Sequence, residues 1–227
     1  MKKIELKDIE HSYEMREEIK SLRTNIQFCG DDKRVILLTS CVAGEGKSTI
    51  SLNLAASLTE LGKKVILVDA DIRKSVMVSL IQSGQAEKGL AHFLTGQCPL
   101  SEAIYEVDNV ENLFLMVSGP AVPNPTELLA MERFDKMLAA LQKVYDYIII
   151  DGPPLGMVVD SAIIARHCDG AAIVIEAGTI KYRFAQDVKA RLENAGCSIL
   201  GVILNKVERK KSRRYYGKYY GRYYGKE

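Results

Sequence analysis

The residues best suited to chemistry lie in a glycine-rich stretch, Ser40-Cys-Val-Ala-Gly-Glu-Gly-Lys-Ser-Thr49. Glycine at positions 44 and 46 lets backbone N–H groups approach phosphate oxygens, and a helix that starts directly afterwards would add the dipole of its N-terminus. In this pattern, a P-loop, the lysine reaches the β- and γ-phosphates of a nucleotide, and the serine hydroxyl faces Mg²⁺. The predicted nucleotide-binding set is Ala43, Gly44, Glu45, Gly46, Lys47, Ser48 and Thr49.

The sequence on either side of this stretch supports a P-loop. The apolar run 35–38 has the length of a buried parallel strand. After the loop, apolar residues recur at helical spacing until Gly62 ends the helix. The strict motif has glycine where this chain has Cys41, so the alternative is a glycine turn that binds nothing. A strand before the loop and a helix after it favour phosphate binding.

Acidic residues follow two further apolar runs. One run ends in Asp69-Ala-Asp71, and a second one, much later in the chain, ends in Asp151. Because ligands bind at the carboxyl ends of the strands in open α/β sheets, we expect these acids at one edge, beside the P-loop. Asp151 then has the place of a Walker B acid, which holds Mg²⁺. The predicted metal ligands are Ser48, Asp71 and Asp151.

The order of the patterns predicts one α/β domain. Of the 227 residues, 47% are apolar, which is enough for a substantial core. Strand patterns alternate with helical patterns throughout, which predicts a doubly wound, mostly parallel sheet flanked by helices. We assign this domain to residues 1–207, with a first helix over residues 12–28, and a separate tail to residues 208–227.

Three absences in the sequence predict a cytoplasmic protein. No apolar run approaches the roughly 20 residues of a membrane-spanning helix. The N-terminus lacks the apolar region of a secretory signal. The five cysteines are scattered, without the spacing of a metal site or a disulfide framework, which argues for a reducing compartment.

The tail differs in charge from the rest of the chain. Residues 206–227 hold nine Lys or Arg against two Glu, a charge of +7, which leaves −5 for the remainder of a chain whose formal charge is +2. The tail has no aliphatic residue to build a core, so we expect it to be disordered. It carries three Tyr-Tyr pairs: Tyr215, Tyr216, Tyr219, Tyr220, Tyr223 and Tyr224.

Two interpretations of the tail are open from its residues alone. Basic residues interleaved with aromatic ones could stack on single-stranded nucleic acid. Alternatively, exposed tyrosines near a nucleotide site could be phosphorylated. The acidic body argues against nucleic acid as a partner, since phosphate backbones require a broad basic face.

Taken together, these motifs resemble the bacterial tyrosine kinases of capsule and exopolysaccharide synthesis, which are built on a P-loop ATPase fold. The resemblance rests on AGEGKST, ILVDADIR, IIIDGPP, PNPTELL at residues 123–129, and the C-terminal tyrosines. It implies an ATP- and Mg²⁺-dependent autokinase whose acceptors are the tail tyrosines. Lys47 would neutralise charge on the transferred phosphoryl group, and Asp69 would act as base for the tyrosine hydroxyl, with Asp71 supporting the metal or the base. Asn205 would read the adenine, by analogy with related ATPases.

The resemblance also implies partners. Family members build a ring through a Glu-x-x-Arg-x-x-Arg motif on the first helix, where this chain has Glu17, Lys20 and Arg23. A lysine at the middle position cannot form a planar bidentate pair. A transmembrane activator, the polysaccharide co-polymerase, would stimulate the kinase through its cytoplasmic tail and hold it at the inner face of the membrane. A tyrosine phosphatase would reverse the reaction.

Two alternatives concern this first helix and the enzyme class. The helix carries an apolar seam of Met15, Ile19, Leu22 and Ile26, which fits packing on the domain and a subunit interface equally well. The alternative function is a switch ATPase of the cell-division or partition type, which shares the fold. Those proteins carry a signature lysine early in the P-loop, where this chain has Val42.

Overall fold

The computed structural model describes residues 2–7 and 13–207, and within these ranges the chain forms nine strands and seven α-helices. The strands are β1 (Lys2–Leu6), β2 (Val35–Ser40), β3 (Val65–Asp69), β4 (Ile81–Ser83), β5 (Tyr105–Val107), β6 (Leu113–Met116), β7 (Tyr147–Asp151), β8 (Gly170–Glu176) and β9 (Ile199–Asn205). The helices are α1 (Tyr13–Phe28), α2 (Lys47–Thr59), α3 (Leu90–Leu94), α4 (Pro125–Leu129), α5 (Glu132–Leu141), α6 (Asp160–Ala165) and α7 (Tyr182–Asn194). The tail tyrosines lie outside the described residues.

All nine strands belong to one sheet, in the order β4-β1-β5-β6-β3-β7-β2-β8-β9. The pairs β1/β4 and β5/β6 are antiparallel, and the other six neighbouring pairs are parallel. Helices cover both faces of the sheet. The prediction of a doubly wound, mostly parallel sheet is therefore confirmed.

The central strands are apolar along their whole length because both of their faces are covered. Every residue of β2 and β3 is buried, as are the last four residues of β7. On one face, α1 and α2 contribute Ile19, Ile26 and Leu58 to the core. On the other, α3 to α7 contribute residues such as Phe134 and Leu192.

Helix α1 packs against α2 through three of the four seam residues, whereas Met15 is exposed. Ile19 and Ile26 are buried against the domain, and Leu22 is half-buried. Arg23, on the same helix, also contacts α2. Its guanidinium donates to the Ser57 carbonyl (2.5 Å) and to the Glu60 carboxylate (2.8 Å), both at the end of α2.

The sequence interpretation missed parts of the fold. The spacing of apolar residues predicts a single helix over residues 127–145, with Thr126 as its N-cap. The structure has α4 and α5 instead, because the chain leaves the helical path at Met131, and Asn124 and Pro125 begin α4. The short strands β1, β4 and β5 were not expected. Within the described residues, no helix is long and apolar enough to cross a membrane.

Candidate active site

The P-loop joins β2 to α2 and needs glycine for two reasons. Gly46, which precedes the first residue of α2, has φ +85°, a left-handed conformation that side chains disfavour. A Cβ atom there would lie 2.2 Å from Nδ2 of Asn205. That Nδ2 atom donates to the Glu45 carbonyl oxygen (2.8 Å). Asn205 therefore lies against the back of the P-loop, at the end of β9.

The side chain of Glu45 shapes the loop from behind. The residue is 1% exposed, and its carboxylate accepts the backbone N–H groups of Val42 (2.8 Å) and Glu176 (3.1 Å). Lys206 completes this network, because its ammonium donates to the Gly44 carbonyl (2.8 Å) and to the Glu176 carboxylate (2.8 Å). Neither Glu176 nor Lys206 belongs to a motif, so their contacts with the loop could not be predicted from the sequence.

The P-loop lysine pairs with the acid at the end of β7. Lys47 Nζ lies 2.6 Å from Asp151 Oδ1, and both side chains are buried. The hydroxyl of Ser51, one turn along α2, donates to the same carboxylate oxygen (3.0 Å). Lys47 also lies 3.3 Å from the Ser48 hydroxyl oxygen. The residues predicted to bind phosphate and metal are thus brought together at the start of α2.

Asp69 lies beside Asp151 but is closed off from solvent. The two acids are paired in the register of β3 and β7, and Asp69 is 0% exposed. Burial, and then the negative charge of Asp151, raise the pKa of Asp69 to about 7. Its carboxylate accepts the Ser75 hydroxyl and, at longer range, the backbone N–H groups of Asp71 (3.2 Å) and Ser118 (3.3 Å).

Asp71 is placed differently from Asp69, although only Ala70 separates them. Its side chain is half-buried and lines an open cavity. Oδ1 of Asp71 accepts the backbone N–H groups of Arg73 (3.3 Å) and Lys74 (3.0 Å), which fixes the turn after β3. The sequence alone does not assign different roles to these two acids. In the structure they differ in exposure, since Asp69 is buried and Asp71 lines the cavity.

The cavity in front of the P-loop has a volume of about 450 Å³. Its lining comprises Ser40, Ala43, Gly44, Glu45, Gly46, Lys47, Ser48, Thr49, Asp71, Arg73, Lys74, Val76, Pro153, Pro154, Met157 and Val158. The whole predicted P-loop set is therefore in the cavity wall, together with Asp71. Asp69, Asp151 and Asn205 are not among the lining residues. Arg73 also lines the cavity.

The donors at this site suit Mg²⁺. Ser48, Asp71 and Asp151 offer hydroxyl and carboxylate oxygens, which are the ligands that magnesium prefers. Among residues 2–7 and 13–207, no group of three or more His, Cys, Asp or Glu residues could hold a metal alone. A site with so few carboxylates fits an ion that is shared with the phosphates of a nucleotide.

Several known proteins are similar to this chain in sequence and in fold. Residues 33–185 match the AAA domain family. Tyrosine-protein kinase CpsD of Streptococcus agalactiae is 44% identical over 209 residues, which cover 91% of each chain. The solved kinase domain of Escherichia coli tyrosine kinase ETK superposes with a TM-score of 0.81 and 29% identity, over 86% of this chain and 76% of that one.

Two further comparisons bear on the alternatives. The cell-division protein complex MinC:MinD of Aquifex aeolicus gives a TM-score of 0.66 and 26% identity, over 80% of this chain and 72% of that one. The switch ATPases are thus more distant than the kinases. Tyrosine-protein kinase wzc of Salmonella typhi is 32% identical, but the match covers 86% of this chain and only 27% of that much longer protein.

Proposed function

Because this chain belongs to the bacterial tyrosine-protein kinases, we propose that it transfers the γ-phosphoryl group of ATP to tyrosines of its own C-terminal segment. This modification would regulate the synthesis and export of a capsular or extracellular polysaccharide. The proposed acceptors are Tyr215, Tyr216, Tyr219, Tyr220, Tyr223 and Tyr224.

The observation that carries this proposal is the path of the chain after β9. Asn205 and Lys206 donate to the carbonyl oxygens of Glu45 and Gly44, so the chain leaves the domain beside the P-loop. Tyr215 follows Val207 by eight residues, which span at most about 28 Å when extended. A segment of that length is long enough for Tyr215 to reach the P-loop, beside which the chain leaves the domain.

In the transfer step, the phenol oxygen of the acceptor forms a bond to the γ-phosphorus. The bond between that phosphorus and the β,γ-bridging oxygen breaks, and ADP leaves with the electron pair. The phenol proton passes to a carboxylate, for which we propose Asp69. The Ser75 hydroxyl, which donates to Asp69 in this structure, would give way to the acceptor. Lys47 would neutralise charge on the phosphoryl oxygens.

Nucleotide and metal would be held by residues around the cavity. The backbone N–H groups of residues 43–49 would bind the phosphates. Ser48, Asp71 and Asp151 would hold Mg²⁺, which neutralises charge on the β- and γ-phosphates when it is bound. The amide Nδ2 of Asn205 already donates to the P-loop, so we propose that its side-chain carbonyl accepts the adenine amino group.

Three partners complete the proposal. A transmembrane activator would stimulate the kinase through a cytoplasmic tail and keep it at the inner face of the membrane. The length of the Salmonella typhi relative supports this division, because most of that protein lies outside the matched region. A phosphatase would remove the phosphates. The chain would assemble as a ring through the exposed Glu17 and Lys20, while Arg23 supports α1 from within.

The direct test is phosphotyrosine formation by purified protein with ATP and Mg²⁺, with and without the candidate activator's tail. We expect labelling that the tail increases. A Lys47→Met variant should be folded and unlabelled, and a variant with all six tail tyrosines changed to Phe should bind ATP without being labelled. Full labelling of folded Lys47→Met protein would contradict the proposed function.

A further inference from the structure

Arg73 is held in place by two residues from distant parts of the chain. Its Nε donates to Asp160 Oδ2 (2.6 Å), and its Nη2 donates to Asp160 Oδ1 (3.0 Å), so the contact is bidentate. The same Nη2 lies 2.9 Å from the Thr126 hydroxyl oxygen, and that hydroxyl donates to Asp160 Oδ1 (2.8 Å). Each of the three side chains therefore contacts the other two.

The residues that hold the guanidinium lie on two helices that contact each other. Thr126 lies in α4 and Asp160 is the first residue of α6. Asp160 is 0% exposed, so its negative charge needs a close partner. The hydrogen bond that Arg73 donates to Asp160 raises the pKa of Arg73, which keeps the guanidinium charged. Because the planar guanidinium is hydrogen-bonded along one edge, its orientation is restricted.

One guanidinium nitrogen of Arg73 is not engaged by Asp160 or Thr126. Arg73 lines the nucleotide cavity with the P-loop, and 38% of its side chain is exposed. Nη1 donates no hydrogen bond to any other described residue, so it is open to a ligand. Lys47 and Arg73 are each paired with a buried carboxylate, Lys47 with Asp151 (2.6 Å) and Arg73 with Asp160 (2.6 Å). Arg73 therefore offers the cavity a second cation in a fixed position.

We propose that Arg73 binds the phosphoryl oxygens during transfer, and that Asp160 and Thr126 are positioning residues that aim it. This rests on the proposed function. Charge develops on those oxygens as the γ-phosphoryl group moves, and a preorganised arginine stabilises it without reorganisation. The competing explanation is that the contact merely ties α4 to α6. In that case, the charge and orientation of Arg73 would not matter to the rate.

The first experiment separates rate from binding. Asp160→Asn should lower the autophosphorylation rate at saturating ATP at least tenfold, while the Kd for a fluorescent ATP analogue changes less than threefold. Thr126→Val should lower the rate a few-fold, and Thr126→Ser should restore it, since Ser keeps the hydroxyl. Asp169→Asn is the control, because it removes a carboxylate that accepts the Arg34 and Val35 amides outside the cavity. It should affect stability only.

The second experiment is a double-mutant cycle with chemical rescue. If Asp160 acts through Arg73, adding Asp160→Asn to Arg73→Ala should cost less than a further twofold. Guanidinium ion should partly restore Arg73→Ala but not the double variant. Should Asp160→Asn fail to fold, Thr126→Val takes its place in the cycle, with the same expected lack of additivity.

Additive losses in either cycle, or a wild-type rate in folded Asp160→Asn, would overturn the positioning role. Both results require that the wild-type protein labels its own tail. An unlabelled wild type with its activator would contradict the proposed function instead, so the two failures are distinguishable.

Discussion

At the scale of single residues, the site separates acids that look equivalent in the sequence. Asp69 is buried beside Asp151, whereas Asp71 lines the cavity. The motif predicted that both acids lie at the carboxyl end of a strand, because that position follows from the apolar run before them. The surroundings of Asp69 include Ser75 and Ser118, which lie outside the motif and carry no recognisable pattern.

The burial of Asp69 predicts a pH dependence of stability when no divalent cation is present. The folded pKa of about 7 lies above the unfolded value of 3.8, so the folded state binds the extra proton. This stabilisation is complete below pH 3.8 and is lost as the pH rises through 7, at about 1.4 kcal/mol per pKa unit. The Asp69→Asn variant should not show this loss of stability.

Urea unfolding in EDTA between pH 4 and 8 measures this difference. The free energy of unfolding of the wild type, relative to Asp69→Asn, should fall by a few kcal/mol across the range. Because both proteins share every other titrating group, the difference reports the titration of Asp69 together with its coupling to Asp151. Parallel curves for the two proteins would mean that the folded pKa of Asp69 is close to its ordinary value.

At the scale of elements, the P-loop is shaped by the ends of β8 and β9. The sequence predicted the strand, loop and helix, because their apolar periodicity and glycines are local signals. It did not predict Glu176 or Lys206, since their contacts with the loop join residues more than 100 positions apart. The short strands β1, β4 and β5 were missed for a related reason. Three to five residues give too little periodicity, and β1 contains three charged side chains.

Glu45 provides a test of this shaping. Glu45→Ala leaves the N–H groups of Val42 and Glu176 without their acceptor, which should loosen the loop and weaken ATP binding about tenfold, or about 1.4 kcal/mol. Glu45→Gln keeps one acceptor oxygen, so its affinity for ATP should lie between those of the wild type and Glu45→Ala. Titration with a fluorescent ATP analogue gives the three affinities. Equal affinities in all three proteins would show that the carboxylate does not shape the nucleotide site.

At the scale of the whole molecule, the family motif on α1 divides into two parts. Glu17 and Lys20 pair with each other at 2.9 Å and are exposed, whereas the Arg23 side chain is 12% exposed and contacts the end of α2. The sequence could place all three on one helix, but the partner of Arg23 depends on how α1 packs. A ring contact in this chain would therefore rest on the first two residues.

The division predicts different effects on assembly and stability. Glu17→Ala with Lys20→Ala should reduce self-association in sedimentation at micromolar concentration and leave the melting temperature nearly unchanged. Arg23→Ala should lower the melting temperature by several degrees, because it removes two hydrogen bonds between helices. Glu132→Ala with Lys136→Ala, an exposed ion pair on α5, is the matched control. If the first double variant sediments like the wild type, this face is not the subunit contact.

The central claim is that the P-loop site phosphorylates the tyrosines of the tail, and a mixing experiment tests it most directly. An active chain whose six tail tyrosines are Phe can donate but not accept. A Lys47→Met chain with an intact tail can accept but not donate. After incubation with ATP, Mg²⁺ and the activator tail, peptide mass spectrometry maps the phosphates on each chain.

We predict phosphotyrosine on residues 215–224 of the Lys47→Met chain in the mixture and none on either chain alone. Phosphotyrosine on the Lys47→Met chain alone would contradict catalysis at the P-loop, and an unlabelled mixture beside a self-labelling wild type would contradict transfer between subunits.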